Sequence, residues 1–385
     1  MQQNLPGFLQ AEKQLTKHLM PFKQKRYRVV GLVMFVVASS LLLLRFLASL
    51  IPSNLGRNIF FSVTVQIGVL VIAVALIYFF ILKLKPKEIL AFSNFNKTKW
   101  YNYLLGIAIG IIGYFVVIGV SFVWMNFIML LGFSRGAGIG GAVAQAPAFS
   151  AGRFVLDIFL IAVLPAICEE FAMRGGFLTT MRGSFKGGFF YFVMAIAFGL
   201  FHQNITQFFF TALFGAVMAF VVVKTKSIYP AMLIHFFNNG LSVYFSYART
   251  FGWWGSNLQE IIFGQMFSFR GIMQTFLFFF ISLLLLAALI VLVYYLNSAK
   301  MLNRKKKVMQ NAGYDLTNKR MIIVGEATEE KVAELQELDL DKEVFGEKVE
   351  KELFKPKIID NAWYIGAMVI TGLFTVFTFI FGMLV

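Results

Sequence analysis

Apolar runs of about twenty residues, separated by short polar or basic segments, recur along the whole chain. Each is close to the ~20 residues a helix needs to cross a hydrocarbon core of about 30 Å. The candidate spans lie at roughly residues 29–51, 59–82, 101–131, 154–173, 187–202, 208–223, 228–247, 271–296 and 363–385. The fifth and sixth are short and fit a tight helical hairpin, with QNIT at 203–206 as its turn. Lipid offers no hydrogen bonds to a bare backbone, so such runs are read as helices. The pattern predicts an all-α, polytopic transmembrane helix bundle of about 8–9 spans.

The basic residues set an orientation. Lys13, Lys17, Lys23, Lys25, Arg26 and Arg28 precede the first span. Lys83, Lys85, Lys87, Lys97 and Lys99 follow the second, Arg182 and Lys186 the fourth, Lys224 and Lys226 the sixth, and Arg304 to Lys307 the eighth. The alternate loops carry few: Arg57, Arg135, and Arg249 with Arg270. Under the positive-inside bias this places the N-terminus in the cytoplasm and, for nine spans, the C-terminus outside. The first 28 residues have no apolar core before a small-residue cleavage site and read as a retained tail rather than a signal peptide. A bacterial cell membrane is the expected location.

Residues 297–358 break the apolar pattern, holding twelve of the nineteen acidic residues among many lysines. ATEEKVAELQEL reads as an amphipathic helix and MIIVG as a short strand, within a charged cytoplasmic loop or mini-domain. The expected organisation is a tail (1–28), N-terminal transmembrane helices (29–150), a core (151–250), a further span (251–296), the charged segment (297–358) and a last span (359–385). GFSRGAGIGGAVAQAPAFSAG contains a formal G-x-G-x-x-G at Gly136, Gly138 and Gly141, but no strand precedes it, so it reads as a loop rather than a dinucleotide site.

Composition agrees with the membrane reading. The chain is 59% hydrophobic and 14% charged, against about 25% charged in soluble domains. The net charge of +16 belongs to the loops, so nucleic acid is not an expected partner and membrane lipid is. The 47 phenylalanines are lipid-facing and bundle-filling bulk. Cys168 is the only cysteine, so no internal disulfide exists, and it reads as packing.

Outside the charged segment seven acidic residues remain. Glu12, Glu88, Glu260 and Asp360 fall in tails and loops, Asp157 near the start of span four, and only Glu169 and Glu170 well inside a span. A carboxylate at membrane depth costs at least a few kcal/mol, so it faces a polar cavity or a partner. Glu170 and Arg174 are i,i+4 and share a helix face. Glu169 is turned about 100° from Glu170. One carboxylate is then held ionised by Arg174, while the other is placed to act as a general base. The bland alternative is a buried ion-paired cluster that fixes helix packing.

Of three histidines, His18 lies in the tail. His202 has Phe198 four residues before it, and His235 has Asn239 four residues after it. A set of Glu169, Glu170, Arg174, His202, His235 and Asn239 suits amide hydrolysis: a glutamate activates water, a histidine handles the leaving amine's proton, and His235 with Asn239 donates to the oxyanion. The same residues also suit zinc, through Glu169, His202 and His235 with one open position. A transporter or proton relay, and a catalytically silent immunity or scaffold protein, are the other readings. H-E-x-x-H, G-x-S-x-G and a P-loop are absent. His202 falls near the outer end of its span and His235 about 10 Å from the inner end of its own. Their meeting requires tilted or broken helices, for which Pro165 and Pro230 are candidates.

Glu169-Glu170-x-x-x-Arg174, Phe198-x-x-x-His202 and His235-x-x-x-Asn239 occur in order on successive spans. This set resembles the CPBP family, the CAAX-processing and bacteriocin-processing intramembrane proteases also called the Abi family. The resemblance covers about residues 150–250. It implies an intramembrane endopeptidase, glutamic-type or metallo-type, acting on membrane-associated, lipid-modified CAAX-like or bacteriocin-type peptides. Glu169 would activate water beside His202, Glu170 and Arg174 would be the supporting pair, and His235 with Asn239 would form the oxyanion site. No cofactor is required in the glutamic version, and zinc is the ion of the other.

Overall fold

The structure is a computed structural model that describes residues 6–133, 150–181, 187–258, 269–311, 314–315, 320–321 and 358–384. The glycine-rich motif at 136–141, the turn with Arg182 and Lys186, and ATEEKVAELQEL lie outside the described residues. Ten helices account for nearly all of what is described: α1 (Pro6–Ser49), α2 (Asn54–Ile81), α3 (Pro86–Phe92), α4 (Trp100–Leu130), α5 (Ala151–Met181), α6 (Gly187–Phe201), α7 (Ile205–Thr225), α8 (Tyr229–Phe251), α9 (Phe269–Asn311) and α10 (Ile358–Leu384). A two-residue antiparallel ladder joins β1 (Tyr314–Asp315) to β2 (Arg320–Met321), so only the first residue of MIIVG is described as strand.

Every expected span coincides with a helix, and seven of the described helices are long and apolar enough to cross a membrane: those in α1, α2, α4, α5, α7, α9 and α10. The chain is a multi-pass integral membrane protein. The other two expected spans are α6 and α8. At 1.5 Å per residue the 15 residues of α6 reach only about 22 Å. α8 has length enough, but His235, Asn238, Asn239, Ser242 and Arg249 dilute its apolar character. The two segments that fall short as membrane crossings are the two that carry the histidine motifs.

Small residues let the central helices approach closely. α8 packs chiefly against α4, where Gly106 and Gly110 lie under Pro230, Ile234 and Phe237. A methyl group at either glycine would sit 2.8 Å from its nearest neighbour, too close for any real Cβ. Such stripes drive helix association where lipid removes the hydrophobic incentive. The same logic joins α5 to α2 and α3: Gly176 faces the Tyr78 hydroxyl and Gly175 faces Ser93.

α6 and α7 form the expected hairpin, but its turn is tighter than 203–206, with α7 starting at Ile205. Gln203 ends α6 in the left-handed region at φ +50°, a common way to stop a helix. The turn is largely buried, and its backbone is tied to three other helices. Gln203 donates to the Ala38 carbonyl (3.1 Å) in α1, Ile205 N–H to Thr378 (3.0 Å) in α10, and Trp124 of α4 to the Ile205 carbonyl (2.7 Å). Asn204 caps α7 through Thr206 N–H (3.0 Å). Non-helical backbone inside such a bundle requires this kind of internal satisfaction.

α10 packs along α1, with Tyr27 donating to Asn361 (2.7 Å) and Tyr364 to the Tyr27 carbonyl (2.8 Å). α9 is tied to α4 by reciprocal amide bonds between Asn102 and Asn297 at 3.0 and 3.1 Å.

Candidate active site

α5 is not a uniform α-helix. Its backbone widens to i→i+5 spacing over Ile158–Val163 and again over Phe171–Phe177, leaving one α-helical stretch, Leu164–Glu170, between them. Wide turns of this kind often accompany functional sites. Glu169 and Glu170 stand at the junction of the last α-turn and the second wide stretch. The first wide stretch is followed by Pro165, which has no N–H for the carbonyl of Ile161 four residues earlier. That carbonyl is taken instead by the Asn239 side-chain amide at 3.0 Å.

The two carboxylates have divided environments, as their 100° offset requires. Glu170 is completely buried. Its Oε1 accepts from Arg174 Nη1 at 2.9 Å and from His235 Nδ1 at 2.9 Å. Arg174, equally buried, also donates to the Gly215 carbonyl (3.4 Å) and lies 4.1 Å from the centre of the Phe198 ring. α5, α6 and α7 therefore converge on this one guanidinium, and α8 joins them through His235 on the same Glu170 oxygen.

Glu169 is held differently. Its Oε1 accepts from Gln66 Nε2 of α2 at 2.8 Å, while its Oε2 is buried with no hydrogen-bond partner among the described residues. The His202 ring lies within electrostatic range of Glu169, His235 and Arg45. His202 Nδ1 is 2.9 Å from the Phe198 carbonyl. Because a carbonyl only accepts, Nδ1 carries the hydrogen and Nε2 is left available. The local fold explains this bond: α6 tightens at its end, His202 N–H turns to Gly199 O (3.3 Å), and the Phe198 carbonyl is freed for the ring.

Phe198 resolves the depth mismatch between the two histidines. Its ring meets His202 at 4.9 Å and His235 at 6.2 Å between centroids, and covers Arg174. The histidines thus flank one aromatic side chain, His235 with Glu170 and His202 within reach of Glu169. Asn239 is half-buried; one amide hydrogen is spent on Ile161, its oxygen accepts from Asn238 (3.1 Å), and a second amide hydrogen remains.

The other acidic side chains that are described are committed elsewhere. Asp157 pairs with Arg153 (2.9 Å) and accepts from Tyr247 (2.7 Å), and Glu88 accepts from the Lys85 N–H at the start of α3 (2.6 Å). Cys168 is buried in the apolar core. The side chain of His18 lies outside the described residues.

His235, with Nδ1 on a carboxylate, presents Nε2 in the manner of many metal-bound histidines. Among the described residues, however, no three His, Cys, Asp or Glu side chains group as a metal set. His202 and His235 flank the Phe198 ring from two sides.

Gln66 is the residue the motifs missed. A signal for it exists in the chain: it is the only amide side chain in the otherwise apolar run 59–82. Asn94 is a second. It donates to the Arg174 carbonyl (3.0 Å) and to Thr179 (2.7 Å), and its own carbonyl receives Ile228 N–H (2.9 Å), tying the end of α5 to the start of α8.

Residues 151–241 match the family model described as type II CAAX prenyl endopeptidase Rce1-like. The match runs from the start of α5 into α8 and contains all six motif residues; α1 to α4, α9 and α10 lie outside it. No curated protein and no solved structure matches the chain. The resemblance carried by the three motifs is thus borne out over the segment that holds them, which is similar to CAAX-type intramembrane proteases.

Proposed function

We propose that the chain is an intramembrane endopeptidase in which Glu169 is the general base. The observation that carries this reading is the unequal treatment of two adjacent buried carboxylates. Glu170 Oε1 is taken by both Arg174 and His235, whereas Glu169 Oε1 has only the neutral Gln66 amide, and the Oε2 of each is buried without a partner among the described residues. An orphan carboxylate oxygen at this depth is costly, and a water molecule is the partner that removes the cost.

In the proposed reaction Glu169 Oε2 takes a proton from that water as its oxygen attacks the peptide carbonyl. The negative charge moves to the carbonyl oxygen. His235, held at Nδ1 by Glu170, donates from Nε2 to the developing oxyanion. The second amide hydrogen of Asn239 is the other donor. His202, with Nδ1 held by Phe198, accepts at Nε2 the proton that Glu169 took from the water and passes it to the departing amine as the C–N bond breaks. No step is routed through a metal; among the described residues no three His, Cys, Asp or Glu side chains group as a ligand set. The substrate is a membrane-associated peptide, with a prenylated, CAAX-like C-terminus as the class the family match favours over bacteriocin-type peptides. Membrane lipid is the other partner.

The test uses full-length protein in lipid nanodiscs and a prenylated cysteine peptide, with products identified by mass spectrometry. General-base catalysis contributes about 10²–10⁴-fold, so Glu169→Gln loses at least a hundredfold in kcat. Undiminished cleavage by that variant would overturn the assignment.

A further inference from the structure

Beyond Arg28, Arg45 is the only charged residue of α1, and it sits one turn before the end of that helix. It does not simply reach for water. Its Nη2 donates to the His202 carbonyl at 3.1 Å, and its guanidinium lies 5.5 Å from the Phe61 ring of α2 and 5.7 Å from the Phe374 ring of α10. Its Nε is buried without a hydrogen-bond partner, and no carboxylate among the described residues pairs with it. The contrast with Arg174, which has a carboxylate, a carbonyl and an aromatic face, is plain. Three helices and a turn fix a cation that has no counterion among the described residues, and the residue is only partly buried. A planar guanidinium so held matches a carboxylate in the bidentate mode.

The place of this cation gives the ligand. The carbonyl it binds belongs to His202, whose ring Glu169 also influences. An anion on Arg45 therefore lies beside the backbone of His202, at the edge of the proposed site. We propose that Arg45 binds the C-terminal carboxylate of the peptide substrate and so anchors the chain end relative to the cleaved bond. This rests on the peptidase reading for its meaning, but its binding step is measurable without hydrolysis.

The experiment measures binding of a fluorescent prenyl-cysteine peptide, as the free acid and as the C-terminal amide, to the Glu169→Gln protein in phosphatidylcholine nanodiscs. The acid is expected to bind at least tenfold more tightly than the amide. Adding Arg45→Gln abolishes that ratio and Arg45→Lys keeps part of it. In the protein with Glu169 intact, Arg45→Gln is expected to penalise the acid in KM more than in kcat. Equal binding of acid and amide with Arg45 present overturns the proposal, whether or not the Gln variant folds. So does an unchanged ratio in Arg45→Gln. If acid and amide bind alike while phosphatidylglycerol stabilises only proteins with Arg45, the occupant is a lipid headgroup and the proposal is wrong. Absence of cleavage with the acid preference intact condemns the catalytic reading and not Arg45.

Discussion

Arg174 offers the sharpest test of whether the buried cluster works as a unit. The Glu170 and Arg174 side chains are 0% and 1% exposed and 2.9 Å apart. At an effective dielectric of ~20, two charges about 4 Å apart attract by about 4 kcal/mol. Removing one partner also strands the other without water, and the combined cost is about 3–5 kcal/mol. Arg174→Met further deletes the cation–π contact with Phe198 at 4.1 Å, worth about 2 kcal/mol when desolvated. Arg174→Met alone is therefore expected to cost about 5 kcal/mol, and Glu170→Gln about 3 kcal/mol. In the double variant no buried charge is stranded, and the loss falls to about 2 kcal/mol, the aromatic term alone.

The check is equilibrium unfolding in mixed micelles at increasing denaturing detergent, read by tryptophan fluorescence, for the parent and three variants. The double variant should be more stable than Arg174→Met by about 3 kcal/mol, while peptide cleavage stays absent because His235 has lost its anionic partner. Losses that add to within about 0.5 kcal/mol would show the two side chains to be uncoupled, and the division of labour between Glu169 and Glu170 would lose its basis.

Three further outcomes follow from single contacts. Gln66→Leu leaves Glu169 Oε1 without its donor; hydrogen bonds to charged groups are worth about 1.5–3 kcal/mol, so kcat should fall roughly tenfold to a hundredfold in the nanodisc peptide assay. Gly176→Ala drives a methyl group into the Tyr78 hydroxyl and should destabilise by about 1–3 kcal/mol. That hydroxyl is buried without a partner among the described residues, so Tyr78→Phe should be near neutral alone and should recover only part of the Gly176→Ala loss in the same unfolding assay, because the ring Cζ still lies 2.7 Å from the added methyl. Tyr247→Phe removes the bond to Asp157 that ties the end of α8 to the start of α5 and should lower stability by about 1.5–3 kcal/mol.

Helix positions were legible because each span must bury or present a long apolar run, and a single segment satisfies its own backbone in lipid only as a helix. The pairing of Glu170 with Arg174 was legible for an equally local reason: i,i+4 is fixed by helix geometry. The role of Phe198 was not. Its motif spacing announces contact with His202, yet the ring also covers Arg174 and touches His235, and these contacts depend on how α5, α6 and α8 cross. The wide turns of α5 were equally hidden, although Pro165 pointed to a break and the carbonyl it frees found Asn239 across the bundle.

These cases share a cause. The family match ends at residue 241 and begins at residue 151, but the groups that aim its residues come from outside it. Gln66 of α2 orients Glu169, Asn94 holds the carbonyl of Arg174, and Arg45 of α1 grips the backbone of His202. A motif names the reacting side chains, while their aim is set by polar residues in helices that look like membrane filler. In a chain with so few polar side chains at membrane depth, each one carries desolvation cost. An isolated Gln or Arg in an apolar run is therefore as informative as the motif itself.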